Sequence, residues 1–296
     1  MNLNNANQKD EIDIKKILLI IWQGKLLIAT LTILFSFTAL FYSLSLQNIY
    51  QSHAVLSPTQ VSKNQSSSIG GLASIAGINI QSGADGKTAL AIEKIKTLSF
   101  YEDNILPNIF LPDLMAMKSW DAESNTLIYD ENIYDSAKKS FISMPSPQTS
   151  FRSFRNILSV RENRDGSLIT ISVKHKSPYV AQVWTELIVN QINNYFRLID
   201  EQEAIKSINF LNVQMAQTSY SELKQAIAQL IKQKMQKLTL IEANEFYVFS
   251  YLDPPKVMET KIEPDRISIL ILGAVIGVML GIIAVMIRNF FSFKEL

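Results

Sequence analysis

No cysteine occurs in the 296 residues, and histidine appears only at His53 and His175. Disulfides, thiolate nucleophiles and Cys-based zinc sites are excluded together, and a His-rich metal centre is not expected. Neither sign of charge dominates. The 28 basic and 27 acidic residues leave a net charge of +1, too little for the broad field that attracts nucleic acid. No cofactor, metal site or nucleic-acid partner is therefore expected. The missing thiols suit an oxidising compartment.

What the chain has in excess is apolar surface, at 47% of residues, and it is concentrated. Leu26 to Leu46 and Ile267 to Ile287 each run about 21 residues without a charge. That matches the roughly 20 residues, at 1.5 Å each, needed to cross a bilayer core about 30 Å thick. The first run is longer than the apolar region of a signal peptide, so it is read as an uncleaved anchor. Lys9, Lys15, Lys16 and Lys25 precede it, and Arg288 and Lys294 follow the second run. Basic tails stay in the cytoplasm, which predicts a two-pass inner-membrane protein with its large loop outside. Bilayer lipid is then a necessary partner.

The predicted layout is a cytoplasmic tail (1–25), a span (26–46), an outer domain (47–266), a second span (267–287) and a short tail (288–296). In the second span Gly273, Gly277 and Gly281 recur every fourth residue and form a groove in which another helix can approach closely. This stripe is the candidate membrane packing site. Neither span holds an internal ionisable residue, which argues against an ion path or proton relay.

Within the outer domain, 50–56 reads as a first strand and 62–86, rich in Ser and Gly, as a surface loop. Residues 88–104 read as a helix, and 135–142 as a short one. Two alternating runs, 156–162 and 168–175, flank Asp165-Gly166 and predict a hairpin. Ser177 then caps and Pro178 opens a helix without proline or glycine up to about Gln217. A second amphipathic helix runs to about Asn244, with Ser219 and Glu222 as its capping box. Residues 246–252 read as a returning strand, after which Pro254, Pro255 and Pro264 mark a pre-membrane segment. The fold class is α+β: a base made of 47–177 and 246–266 near the membrane, and a long helical projection from 178–245.

Chemistry is sparse. Gly86-Lys87-Thr88 ends like a phosphate-binding loop, but Gln81 stands where that loop needs its first glycine. Glu102 with Asp103, Asp121 with Glu123, and Asp130 with Glu131 are adjacent acids that do not converge, and they read as solvated or capping groups. His175, between Lys174 and Lys176, reads as a surface residue at a strand end. With Arg152, Arg155, Arg161 and Arg164 these lysines make the centre locally basic, and solvation is the favoured account. No catalytic residue is assigned, and the chain is not expected to be an enzyme.

Taken in order, several short features carry a family resemblance. They are the basic tail and first span, Gly70-Gly71-Leu72-Ala73-Ser74 with Ala76-Gly77, and Gly166-Ser167-Leu168-Ile169-Thr170 in the hairpin. Ser177-Pro178, Glu222-Leu223, Glu242-Ala243-Asn244-Glu245-Phe246-Tyr247 and Asp253-Pro254 follow. Together they resemble the chain-length determinant proteins, or polysaccharide co-polymerases, of Gram-negative bacteria, in the O-antigen type without a fused tyrosine kinase. The resemblance implies a ring-shaped homo-oligomer in the inner membrane that works with the O-antigen polymerase and sets lipopolysaccharide chain length without catalysis. Separately, the basic residues Arg152, Arg155, Arg161, Arg164, Lys174 and Lys176 make a lipid-linked glycan a candidate partner. The family's regularly spaced pre-membrane prolines are reduced here to Pro254, Pro255 and Pro264. The runner-up readings are a two-pass periplasmic sensor or receptor, or an envelope-export adaptor; a periplasmic hydrolase comes last.

Overall fold

A computed structural model describes residues 19, 21–59, 84–163 and 168–292. The chain forms two compact units, Met1–Asn48 with Ile262–Leu296, and Ile49–Lys261. The basic tail before Leu19, most of the Ser/Gly-rich stretch including Gly70 to Gly77, and the Asp165-Gly166 turn lie outside the described residues.

The smaller unit is a pair of apolar helices, α1 (Lys25–Ser45) and α7 (Arg266–Ser292). Both are long and apolar enough to span a bilayer. Gly24 stands at the N-cap of α1, and Asp265 accepts from the Ser268 hydroxyl at 2.6 Å and the Ile267 N–H at 3.2 Å at the start of α7. The Asp265 carboxylate thereby satisfies N–H groups that lipid cannot.

In the larger unit four strands form an antiparallel sheet in the order β6-β7-β1-β8: β1 (Tyr50–Pro58), β6 (Leu158–Glu162), β7 (Ile169–His175) and β8 (Phe249–Asp253). Alternation sets the register. Ser52, Ala54 and Leu56 point inward from β1, opposite Val173, Ile171 and Ile169 of β7. Against this face lies α5 (Pro178–Gln217), which contributes Trp184, Ile188, Val189 and Ile192 to the core. Ser177 accepts the Val180 N–H and Pro178 occupies the first turn, as that dipeptide predicts.

At 40 residues α5 is about 60 Å long. Beyond Ala204 none of its residues is buried. There it runs with α6 (Ser221–Ala243), in which only Ile227 and Ile241 are buried. Phe210, Val213, Leu223, Leu230 and Met235 are each at least 48% exposed, so the outer part of this helical pair is thinly cored.

The remaining elements complete the larger unit. They are α2 (Ala84–Ile95), a helical stretch over 98–108, α3 (Leu111–Met115), β2 (Met117–Asp121), β3 (Thr126–Tyr129), β4 (Tyr134–Asp135), β5 (Ser140–Phe141) and α4 (Pro147–Ile157).

Four sequence expectations are corrected. The helix over 88–104 begins earlier and breaks at Thr97, whose hydroxyl accepts the Phe100 N–H and starts a new helical stretch. The helix expected over 135–142 is the β4–β5 hairpin. There Asp135 accepts the Lys138 N–H at 2.8 Å and Lys139 takes φ 53, a local turn that competes with a helix. The Ser219–Glu222 capping box is absent: α6 starts at Ser221 behind Tyr220, with no side-chain cap. The last strand begins at Phe249 rather than 246, because the preceding residues are held by α5 side chains.

Candidate functional site

Among the described residues, no three His, Cys, Asp or Glu side chains are grouped to hold a metal ion. Two features instead couple distant parts of the chain: a polar stripe at the root of the helical pair, and the seam between the spans.

The stripe lies on one face of α5. Asn193, Arg197 and Asp200 are spaced by four and three residues, so they point the same way. All three grip the returning chain. Asn193 accepts the Val248 and Phe249 N–H groups at 2.8 and 2.9 Å and donates to the Phe249 carbonyl at 3.0 Å. Arg197 donates to the carbonyls of Asn244, at 2.7 Å, and Glu245.

Asp200, only 8% exposed, accepts from the Lys87 ammonium and the Tyr247 hydroxyl, and Lys237 stands 3.8 Å away. Lys87 also lies 4.9 Å over the Tyr247 ring. One carboxylate therefore ties together α2, α5, α6 and the segment leading into β8. Burial alone raises its pKa, but the Lys87 and Tyr247 hydrogen bonds and the charges of Lys87 and Lys237 bring it below the usual carboxylate value.

The end of the phosphate-loop resemblance is otherwise engaged. Gly86, Lys87 and Thr88 are helical, the Lys87 ammonium is held by Asp200 and Thr88 is buried, while Gln81 lies outside the described residues. The acidic pairs behave as capping and solvated groups. Asp121 accepts the Glu123 N–H at 3.1 Å, Asp130 the Asn132 N–H at 3.0 Å and Glu131 the Ser136 N–H at 3.2 Å.

His175 departs from its expected place. It is 7% exposed, with its ring 5.1 Å from that of Trp184. Its Nδ1 accepts the Ser177 N–H at 3.1 Å, which leaves Nε2–H to donate to the Asp113 carbonyl at 3.1 Å and fixes a neutral ring. Burial pushes its pKa down, with the Lys176 charge adding to that, against the opposing pull of the two backbone contacts. Two of the basic residues nearby hold backbone. Lys176 donates to the Met117 carbonyl at 2.5 Å, and Arg155 to the Lys96 carbonyl at 2.9 Å.

A pH dependence follows. The unfolded chain takes up a proton at His175 more readily than the folded one. The stability it contributes is complete above about pH 6.5 and declines as pH falls below that value. Thermal melts between about pH 7 and 5 are expected to show this loss in the wild type and to flatten in His175→Gln. Equal slopes in the two proteins would contradict the assignment.

The glycine stripe faces the chain's own first span. A Cβ on Gly273 would meet Ala39 Cβ at 2.5 Å, one on Gly277 the Thr32 Cα at 2.7 Å, and one on Gly281 the Ile28 Cα at 2.9 Å. At the far end Gly24 faces Val285, where an added Cβ would lie 2.3 Å from a methyl group. The pre-membrane prolines are divided. Pro254 and Pro255 follow β8 in the larger unit, Pro255 being buried, and Pro264 precedes α7 in the smaller one.

The sequence reading assigned no role to Asn193, Arg197 and Asp200. Their signal was present as three polar residues at core spacing within a helix whose neighbours Ile188, Ile192 and Phe196 are apolar.

Residues 10–102, which take in α1, β1 and α2, match the family model described as Wzz, chain length determinant protein. No curated protein matches. Among solved structures, a full-length bacterial polysaccharide co-polymerase is similar over 96% of this chain and 98% of its own, at 14% identity and a TM-score of 0.42. A fragment of WzzB, polysaccharide co-polymerase from Salmonella Typhimurium, is similar over 73% of this chain and 100% of its own, at 11% identity and a TM-score of 0.30.

Proposed function

We propose that this chain, whose residues 10–102 match the chain length determinant family model, regulates the length of a surface polysaccharide. The observation that carries the reading is the family match across the first span and the start of the larger unit. An α+β unit that falls between two apolar helices in chain order, and that carries a long helical pair, is an architecture that fits it.

In this reading the protein is a non-catalytic partner of the O-antigen polymerase. It resides in the inner membrane, with the larger unit in the periplasm, and works as an assembly of several copies. The mechanism is positional. The Asp200 stripe fixes how the helical pair leaves the sheet, and the span seam fixes where the chain enters and leaves the membrane. Copies held in this way present their helical pairs at a constant geometry to polymerase or growing glycan. The two-pass receptor and export-adaptor readings draw no support from the family match.

The test is the surface-glycan ladder on a gel, from cells with and without the protein. A modal cluster of lengths is expected, collapsing to a smooth decline on deletion and returning on complementation. A ladder that deletion leaves unchanged, in every surface glycan tested, would sink the proposal.

A further inference from the structure

Three aromatic rings stand together outside the hydrophobic core. Tyr50 opens β1, Trp120 lies in β2 and Tyr179 is the second residue of α5. The Trp120 ring is 5.5 Å from that of Tyr50 at 84°, and 6.1 Å from that of Tyr179 at 60°. None of the three belongs to the core cluster. Tyr179 is 46% exposed and the other two are half-buried.

Large aromatic side chains left this open forgo part of the apolar burial that usually places them inside. Here the cluster is also held rigid. The Trp120 indole N–H donates to Asn125 Oδ1 at 2.9 Å, and Asn125 occupies the turn between β2 and β3 at φ 50. Beside it Asp121 is oriented by the Ser124 hydroxyl at 2.5 Å and the Glu123 N–H at 3.1 Å. The Asn125 amide and two phenol-bearing rings therefore border the indole.

Fixed aromatic faces rimmed by hydrogen-bonding groups suit a pyranose. The apolar C–H face of the sugar covers the ring, while its hydroxyls reach the rim. The strand β2 carries both Lys118 and Asp121, a mixed charge that favours an uncharged sugar chain over an anionic headgroup. We propose that Tyr50, Trp120 and Tyr179 form a saccharide-binding shelf that takes a short pyranose segment of the polysaccharide. The identity of that polymer rests on the function proposed above.

The test is calorimetric titration of the full-length protein in detergent micelles. The probe is length-fractionated polysaccharide released from the surface of the cells that make it. Saturable binding is expected for the wild type. Trp120→Ala and Tyr179→Ser are each expected to weaken it about tenfold, the loss that follows from truncating an aromatic anchor. Tyr179 is exposed, so its variant should keep the wild-type melting temperature and separate loss of binding from loss of fold. Equal affinity in all three proteins, or no saturable binding by the wild type, overturns the shelf. The deletion ladder judges the regulatory function separately: a modal band that depends on the protein, with no binding of the released glycan, removes the shelf and leaves regulation standing.

Discussion

Replacing Gly277 with leucine is expected to push the two spans apart and to abolish the modal band. An added Cβ at this position sits 2.7 Å from the Thr32 Cα and 3.2 Å from the Leu31 carbonyl oxygen. Both are backbone atoms, so no change of rotamer relieves the clash. In lipid there is no hydrophobic drive to keep the helices together, and close packing is what holds them. Thr32 returns its hydroxyl to the Ile28 carbonyl at 2.8 Å, so the seam has no polar bond there to compensate. Overpacking costs typically 1–3 kcal/mol, and a leucine against backbone belongs at about 3 kcal/mol or above. The measurement is the melting temperature of the full-length protein in nanodiscs, together with the ladder. Val278→Leu is the control, because Val278 is 38% exposed on the same helix and should change neither readout. A Gly277→Leu protein that melts like the wild type would show that the seam does not hold the spans.

The second large effect is expected at Asp200. Removing its carboxylate with alanine leaves two ammonium groups and a phenol at a site only 8% exposed to water. Breaking one partner out of such a buried pair costs about 3–5 kcal/mol, so Asp200→Ala should lose about 3 kcal/mol in denaturant melts. Asp200→Asn keeps the shape and loses the charge, and should fall between. The sign of the pH dependence is set by the lowered pKa. The carboxylate's contribution is complete above the unfolded value of about 3.9 and is lost as pH falls through the lower folded value. Acid melts of the wild type should therefore be steeper below about pH 4 than those of Asp200→Asn. Parallel acid limbs would rule out a charged clamp at this position.

Much of the fold could be read from the residues because it depends on local chemistry. Ser177-Pro178 gave the start of the long helix, alternation gave the antiparallel hairpin, and two uninterrupted apolar runs gave the spans. The misreadings have physical causes too. Asp135 and Lys138 close a turn through a side chain, which apolar spacing alone does not reveal. Ser146 caps α4 by accepting the Thr149 N–H at 3.2 Å, with Pro147 following, a helix start that the sequence reading did not assign. His175 sits between two lysines in the chain and was placed at the surface; the β-strand period turns it inward, beside Trp184. Partners far apart in sequence, such as Asp200 with Lys87, leave no local mark at all. The spacing of Gly273, Gly277 and Gly281 is visible in the sequence, but not that they face Ala39, Thr32 and Ile28.

The antiparallel span pair has a consequence in polymer terms. Arg266 Nη2 lies 3.4 Å from Asn48 Oδ1, so the chain leaves the smaller unit and returns to it at one point, closing a loop of more than two hundred residues. A disulfide closing so long a loop would restrict the unfolded ensemble by about 5 kcal/mol. This chain has no cysteine to form one. While the seam stays closed, the two helices act as a non-covalent staple, and unfolding the sheet does not free its ends. The larger unit therefore owes part of its stability to contacts it does not itself make. Widening the seam should make it easier to unfold without altering a single residue of its core.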